Sequence, residues 1–424
     1  MVLALPQTSA PLKGTVKVPG DKSLAHRAAL FAALADGESE VGNYPDSGVT
    51  RAMRGALESL GVPSSLESGM LRVKGNGMRP FPNSGATAFC GNSATTIRLL
   101  AGAVAATRSA AVLDGSEGLR KRPMDRIVEP LRRMGAKMES THGCAPLRID
   151  PAALEGCEYE LPVASAQVLS CLQIAALGAK GESRFFVGAP VRDHTTRMLR
   201  AMGAQVADSG KEVIVEGLER PLAPLHGTLP GDISSAAFLF VAAAIVPGSR
   251  ITVEGVGVNP TRTGILDVLS NMGCGVKLEN ERDDMGEPVA DVTISAAPLR
   301  AVEVGGDLVV RSIDEFPAIA AAAAFAEGRT VVRDAKELRY KETDRIAAIV
   351  SQLRALGAEA EDFDDGFAVV GGTLKGGVAR AGGDHRIAMA MAVCSLRAPV
   401  EVEGAEILAE SFPSFVPTLE GLVR

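Results

Sequence analysis

Runs of small and aliphatic residues recur along the chain. Each is opened by a short polar cluster and followed by a turn and a β-branched strand. The first opens at Asp21-Lys22-Ser23 and runs through Ala28 to Leu34. The second opens at Asn92-Ser93-Ala94-Thr95 before Leu99 to Ala106, and the third at Ser165-Ala166-Gln167 before Val168 to Leu177. Asp232-Ile233-Ser234-Ser235, Ser312-Ile313-Asp314 and Asp384-His385-Arg386 open three more, so the starts lie about seventy residues apart. A second helix type keeps the same rhythm and ends in Leu60-Gly61, Met134-Gly135, Met202-Gly203, Met272-Gly273 and Leu356-Gly357. Glycine there suits a positive-φ helix C-cap before a strand. Each unit therefore reads strand–helix–strand–helix–strand–strand, with the sixth cut short.

The repeats also pair at a larger scale. Val18-Pro19-Gly20-Asp21 matches Leu229-Pro230-Gly231-Asp232, which predicts two halves of three units each. A chain that crosses between the halves near both matches makes one domain discontinuous: residues 1–19 with 230–424, and residues 20–229 alone. A single long α/β solenoid is the alternative that the repeat by itself leaves open.

Bulk properties narrow the function. A chain of 424 residues, 46% hydrophobic and 22% charged, predicts a folded protein of two domains. Its net charge of −7 argues against nucleic acid or a membrane surface as partner, so any site for anions must gather positive charge locally. No apolar run reaches the roughly 20 residues that span a bilayer. Met1 to Lys13 lacks the pattern of a signal peptide, and the expected location is the cytoplasm. The six cysteines and five histidines fall into no metal-binding spacing, so reduced thiols and no metal are expected.

The helix starts carry the informative chemistry. Asp232 and Ser234 read as ordinary N-caps. Capping does not account for Lys22 with Arg27, Lys341 with Arg345, or Arg386, because cations in a first turn oppose the helix dipole by roughly 0.3–1 kcal/mol. Positive charge at a positive helix end suits an anionic ligand.

At these residues the chain resembles the 5-enolpyruvylshikimate-3-phosphate synthase family from end to end. The segments are Pro19-Gly20-Asp21-Lys22-Ser23 with Arg27, Gly91-Asn92-Ser93-Ala94-Thr95-Thr96-Ile97-Arg98, Lys121-Arg122-Pro123-Met124 and Leu161-Pro162-Val163-Ala164-Ser165-Ala166-Gln167. Arg192-Asp193-His194-Thr195, Ile313-Asp314-Glu315, Lys341-Glu342-Thr343-Asp344-Arg345 and Asp384-His385-Arg386-Ile387-Ala388-Met389 follow in order. The resemblance implies a two-domain inside-out α/β barrel of six βαβαββ repeats, three per domain, with the active site in the interdomain cleft. It implies transfer of the enolpyruvyl group of phosphoenolpyruvate to the 5-hydroxyl of shikimate 3-phosphate, a step of aromatic amino-acid biosynthesis in the shikimate pathway. A monomer without metal or organic cofactor is implied as well.

By the same resemblance, Lys22, Ser23, Arg27, Ser165, Ala166, Gln167, Arg192, Asp314 and Lys341 hold shikimate 3-phosphate. Lys22, Asn92, Ala94, Arg122, Gln167, Arg345 and Arg386 hold phosphoenolpyruvate. Addition followed by elimination needs acid–base groups on both sides of the new bond. Asp314 is the expected base at the hydroxyl, Glu342 the group exchanging a proton at the methylene, and Lys22 an aid to both steps. Asp314 has a plain alternative as the N-cap of the fifth apolar helix, and Glu342 as an ion-pair partner of Arg345.

Three positions depart from the family pattern: Ala94 where many members have glycine, Glu410 where many have lysine, and Gly48 where some have aspartate. The Ala94 methyl is expected to crowd glyphosate, the family's longer inhibitor, by ~1–3 kcal/mol. Together with Ser165-Ala166-Gln167 and Arg192-Asp193-His194-Thr195 it resembles a glyphosate-tolerant class. A rival reading, the UDP-N-acetylglucosamine enolpyruvyl transferases, usually has a reactive cysteine where Gly115 to Arg122 here has none. A non-catalytic sugar-phosphate-binding relative is the other alternative, and retention of Asp314 and Glu342 argues against it.

Overall fold

In a computed structural model the chain is described over residues 1–83 and 85–423; Ser84 and Arg424, the last residue of the expected C-terminal-half domain, lie outside the described residues. Contacts divide it into two units. One, called here the C-terminal unit, comprises Met1–Pro19, Gly231–Arg282 and Pro288–Arg424; the other, the 20–230 unit, comprises Gly20–Pro230 with Asp283–Glu287. Pro230 and the 283–287 segment thus fall in the 20–230 unit, where the repeat pattern had put them in the other.

The 20–230 unit is built on three apolar helices, Lys22–Leu34, Ala94–Ala106 and Ala166–Ala176. Leu24 to Leu34 are all buried in the first, so it is apolar on every side, the mark of a helix enclosed by its own fold. Asp21 caps it by accepting from the Leu24 N–H at 3.0 Å, and Ser93 caps the second by accepting from Thr96 N–H at 3.1 Å. Ser165 stands at the third N-cap without a side-chain capping bond. The helices Gly48–Ser59, Asp125–Arg133 and His194–Ala201 bury one face only.

Each repeat of this unit closes with a four-stranded sheet of one pattern. In the second repeat Thr87–Phe89 lies parallel to Ala111–Asp114, which pairs antiparallel with Cys144–Asp150, which pairs antiparallel with Lys137–Thr141. The third repeat uses Glu158–Leu161, Glu182–Val187, Glu212–Glu216 and Val206–Asp208 in the same way. In the first, Asp36–Gly42 takes its parallel neighbour from His226–Thr228, at the far end of the unit's sequence.

The C-terminal unit repeats the design on helices Ile233–Ile245, Phe316–Ala323 and His385–Cys394, which pack on one another. Here the chain's own start completes the sheets. Lys13–Val16 pairs parallel with Arg250–Gly257, and Val2–Ala4 pairs antiparallel with Val400–Glu403. That use of residues 2–16 explains why the unit is discontinuous in sequence. The sheets are separate and mixed; the helices are enclosed by packing, and no ladder among the described residues closes on itself.

Local chemistry follows the sequence reading at the helix ends. Gly61, Gly135, Gly203, Gly273 and Gly357 all have φ between 89° and 107°. Two starts differ. Asp232 caps the Ile233 helix through Ser234 N–H at 2.9 Å, while the Ser234 hydroxyl turns to Glu315. Glu315, and not Asp314, occupies the N-cap of the helix Phe316–Ala323.

Close helix packing makes one expectation testable. A methyl on Gly102 would stand 2.3 Å from the Cys171 carbonyl oxygen, whereas one on Gly55, in the half-exposed helix Gly48–Ser59, meets nothing within 4 Å. Gly102→Ala is expected to destabilise by roughly 1–3 kcal/mol. Gly55→Ala should stabilise by about 0.5–1 kcal/mol. Urea unfolding of both variants checks the opposite signs.

Candidate functional site

In the 20–230 unit the expected site residues gather at the N-terminal ends of the three apolar helices. Lys22 is the first residue of its helix. Arg27, one turn further in and 3% exposed, is held by neutral oxygens: Nε donates to Thr195 Oγ1 at 2.7 Å, Nη1 to the Ser23 carbonyl at 2.9 Å, and Nη2 to Ser170 Oγ at 2.8 Å. The Thr195 hydroxyl in turn donates to Ser170 at 2.7 Å. Arg27 thereby ties the Lys22 helix to the Ala166 helix and to the start of the His194 helix. Arg192 and Asp193 lie in the loop just before the latter, where Asp193 accepts from Arg197 Nε at 2.7 Å.

Gln167, second in the Ala166 helix, has its amide fixed at both ends. Its Oε1 accepts from Arg98 Nη1 and its Nε2 donates to Thr95 Oγ1 at 2.9 Å. Arg98 also donates to the Pro123 carbonyl at 3.2 Å, so it steadies the loop that carries Arg122. Ala94 opens the second helix, 5% exposed, and Asn92 precedes its cap, accepting from Ser116 Oγ at 2.9 Å. Ser23, Ser165 and Ala166 remain partly exposed beside these groups.

Arg98 is 8% exposed, and its Nε has no hydrogen-bond partner among the described residues. Burial, with the charges of Arg126 and Arg122, pulls its pKa down to about 10. A buried guanidinium with neutral partners and cationic neighbours is a group set out for an anion.

The C-terminal unit holds a second cluster. Arg345, 1% exposed, opens the helix Arg345–Ala355, which buries one face and is not one of the three apolar helices. Its Nη2 meets Glu342 Oε2 at 2.5 Å, its Nη1 Asp314 Oδ1 at 3.4 Å, and its Nε Asp384 Oδ2 at 2.8 Å. Burial alone would lower the Arg345 pKa, but Glu342, Asp384 and Asp314 outweigh it and hold the guanidinium above its ordinary value. Lys341 Nζ lies 3.5 Å from Asp314 Oδ1 and 3.3 Å from Glu337 Oε1. Arg386, second in its helix and 8% exposed, donates to the Asp314 main-chain carbonyl at 3.0 Å. Five expected residues, Asp314, Lys341, Glu342, Arg345 and Arg386, therefore share one cluster of hydrogen bonds and ion pairs. The ion pair between Glu342 and Arg345 is present, and Glu342 is otherwise exposed.

Sequence reasoning gave no role to Arg98, His26, Ser170, Thr195 or Asp384. Arg98 had a signal, a lone arginine inside an alanine-rich helix. The others each bond a residue from another repeat, which no local pattern reveals. Among the described residues no group of three His, Cys, Asp or Glu side chains could hold a metal ion.

The chain matches the family described as EPSP synthase (3-phosphoshikimate 1-carboxyvinyltransferase) over residues 6–419. It is 45% identical over 421 residues to the 3-phosphoshikimate 1-carboxyvinyltransferase of Syntrophomonas wolfei, covering 97% of each chain. It is 45% identical over 414 residues to that of Geobacter metallireducens, covering 96% of each. Among solved structures, the EPSP synthase from Acinetobacter baumannii superposes with a TM-score of 0.91 at 39% identity, over 99% of this chain and 98% of that one.

His26 links two of the helix starts. Its Nδ1 faces the Lys22 carbonyl at 2.6 Å and must donate, since a carbonyl only accepts. Ser93 Oγ accepts from Thr96 N–H and from the Thr96 hydroxyl, so its own proton points to His26 Nε2 at 3.3 Å. The ring is therefore neutral. Burial, against a smaller opposing effect of the Lys22 carbonyl, lowers its pKa from 6.5 to about 4, with Arg27 adding to the fall. The unfolded chain then binds the proton more readily, so stability is complete above pH 6.5 and lost as pH falls towards 4. Between pH 7 and pH 5 the wild type is expected to lose about 2 kcal/mol more than His26→Gln, measured by urea unfolding at the two pH values.

Proposed function

Because the chain belongs to the EPSP synthase (3-phosphoshikimate 1-carboxyvinyltransferase) family, we propose that it transfers the enolpyruvyl group of phosphoenolpyruvate to the 5-hydroxyl of shikimate 3-phosphate. The observation that carries this reading is the Asp314–Lys341–Glu342–Arg345–Asp384–Arg386 cluster, where three carboxylates surround the Arg345 guanidinium and two further cations, Lys341 and Arg386, contact Asp314. Such a cluster supplies both what binds anions and what moves protons.

In this proposal Arg27, Ser23, Ser165, Ala166, Gln167, Arg192 and Lys341 hold shikimate 3-phosphate. Arg122, Arg345, Arg386 and Gln167, with Asn92 and Ala94, hold phosphoenolpyruvate. Asp314 accepts the proton of the 5-hydroxyl, to be passed to the departing phosphate, as the hydroxyl oxygen bonds to carbon 2 of phosphoenolpyruvate, and the methylene carbon gains a proton from Glu342. In the second step a proton leaves that methyl to Glu342, the carbon–oxygen bond to phosphate breaks, and inorganic phosphate departs as the double bond re-forms. Lys22 stabilises charge in both steps. Fixed cations are effective here because they need no reorganisation as charge moves.

We also propose that the enzyme is a glyphosate-tolerant form, acting as a monomer in the cytoplasm. Ala94 supports the first point: it is nearly buried at the head of its helix, so its methyl has little room to yield. No helix among the described residues is long and apolar enough to cross a membrane.

Phosphate release on mixing the protein with phosphoenolpyruvate and shikimate 3-phosphate is the primary test. Release with shikimate 3-phosphate and none with UDP-N-acetylglucosamine is expected; the reverse preference would reject the reading. Glu342→Gln should lower kcat by about 10²–10⁴-fold, the usual worth of an acid–base group. Ala94→Gly should lower the glyphosate concentration for half inhibition by roughly ten- to hundredfold while changing the KM for phosphoenolpyruvate far less. Equal glyphosate sensitivity of parent and variant would defeat the tolerance proposal.

A further inference from the structure

The segment from Lys341 to Asp344 carries two proposed functional side chains, yet it forms neither helix nor strand. Something must fix it, because an acid–base group displaced by an ångström loses much of its effect. From inside the site, Arg345 holds Glu342. Lys341 pairs with Asp314, and Thr343 Oγ1 donates to Asp384 Oδ2 at 3.5 Å. Further support comes from residues to which no role has been given.

Lys336–Tyr340 forms a short 3-10 helix directly before the loop. The Arg339 guanidinium leaves this helix and spreads its N–H groups over two neighbouring segments. Nε donates to the Asp364 carbonyl at 2.9 Å, and Nη2 to the Phe363 carbonyl at 2.5 Å and to Asp362 Oδ1 at 2.5 Å. All three acceptors lie at the end of the hairpin formed by Glu359–Phe363 and Gly366–Val370. Nη1 donates to Asp344 Oδ2 at 2.8 Å. The other Asp344 oxygen caps the helix that follows, accepting from Ala347 N–H at 3.1 Å.

The same hairpin turn grips the chain on the other side of the 3-10 helix. Asp365 accepts from Asp334 N–H at 2.9 Å through its side chain and from Ala335 N–H at 2.6 Å through its carbonyl. The hairpin is thus a rigid anchor, and the arginine fork is the tie from it to the end of the loop. An exposed ion pair contributes little, but this group is 22% exposed and has two main-chain carbonyls among its acceptors. Four of its five N–H groups are committed to protein, so it acts on the reaction through the loop.

We propose that Arg339 is a positioning residue for the transferase reaction: by clamping Asp344 to the 362–364 turn it sets where Glu342 and Lys341 stand. The inference rests on the proposed roles of those two residues. Lysine cannot replace it, since an ammonium cannot reach four acceptors in a planar fan. Asp344→Asn is the gentler probe, because asparagine still caps a helix but gives up the charge paired with Arg339.

The test is phosphate release at saturating phosphoenolpyruvate and shikimate 3-phosphate, with circular dichroism of each variant as the folding control. Arg339→Gln is expected to lower kcat at least about tenfold, and Asp344→Asn about threefold, with native spectra. In a Glu342→Gln background, Arg339→Gln should cost less than about threefold more, because residues acting through one another are not additive. A role confined to stability would instead multiply through the double variant, and that result overturns the proposal. Unchanged kcat in Arg339→Gln and Asp344→Asn overturns it too; should Arg339→Gln not fold, Asp344→Asn decides. A wild type that releases no phosphate would count against the proposed function instead.

Discussion

A guanidinium buried near the positive end of a helix is out of electrostatic balance until an anion joins it. The rest of this structure is arranged around several such groups. Arg98 and Arg386 are each only 8% exposed, and neither has a carboxylate partner among the described residues. Burying a charge this way is costly, and a fold gains nothing in stability from it. Arg345 differs: three carboxylates surround it, and they set its position as much as its charge. On the proposed roles Arg386 awaits the anion alone, whereas Arg345 both binds it and places the acid–base carboxylates.

The apolar helices follow from the same demand. A polar, cationic first turn can be presented at a defined place only if the remainder of the helix is fixed. Alanine and leucine on all faces fix it by enclosure, as in the Lys22 and Ile233 helices, where nearly every residue beyond the first turn is buried. Small residues let backbones approach closely, as Gly102 does to the Cys171 carbonyl. The sheets supply one buried face each and cover these helices. Borrowed strands, His226–Thr228 in one unit and Lys13–Val16 in the other, complete the pattern.

Much of this was legible in the sequence because it is periodic. The seventy-residue spacing, the glycine C-caps and the polar helix starts each rest on local rules: apolar periodicity, positive φ and capping. The expected site residues came from motif resemblance, and five of them, Asp314, Lys341, Glu342, Arg345 and Arg386, lie in one cluster. What escaped was non-local. Arg345 sits on a half-buried helix, Glu315 displaces Asp314 as N-cap, and Ser234 turns from capping to Glu315. Those outcomes depend on which repeat packs next to which, and a run of residues carries no record of its neighbours in space. His26 and Arg339 escaped in part for the same reason: Ser93 and the 362–364 turn, which each also bonds, lie in other segments.

A buried arginine such as Arg386 serves either a ligand or the fold, and its effect on stability tells which. The direct measurement is the urea unfolding free energy of unliganded Arg386→Gln against the wild type. Stability equal to or above the wild type is expected, because the variant removes a buried charge that has no carboxylate to neutralise it. A loss of about 3–5 kcal/mol, the usual cost of breaking a paired buried charge, would contradict the account.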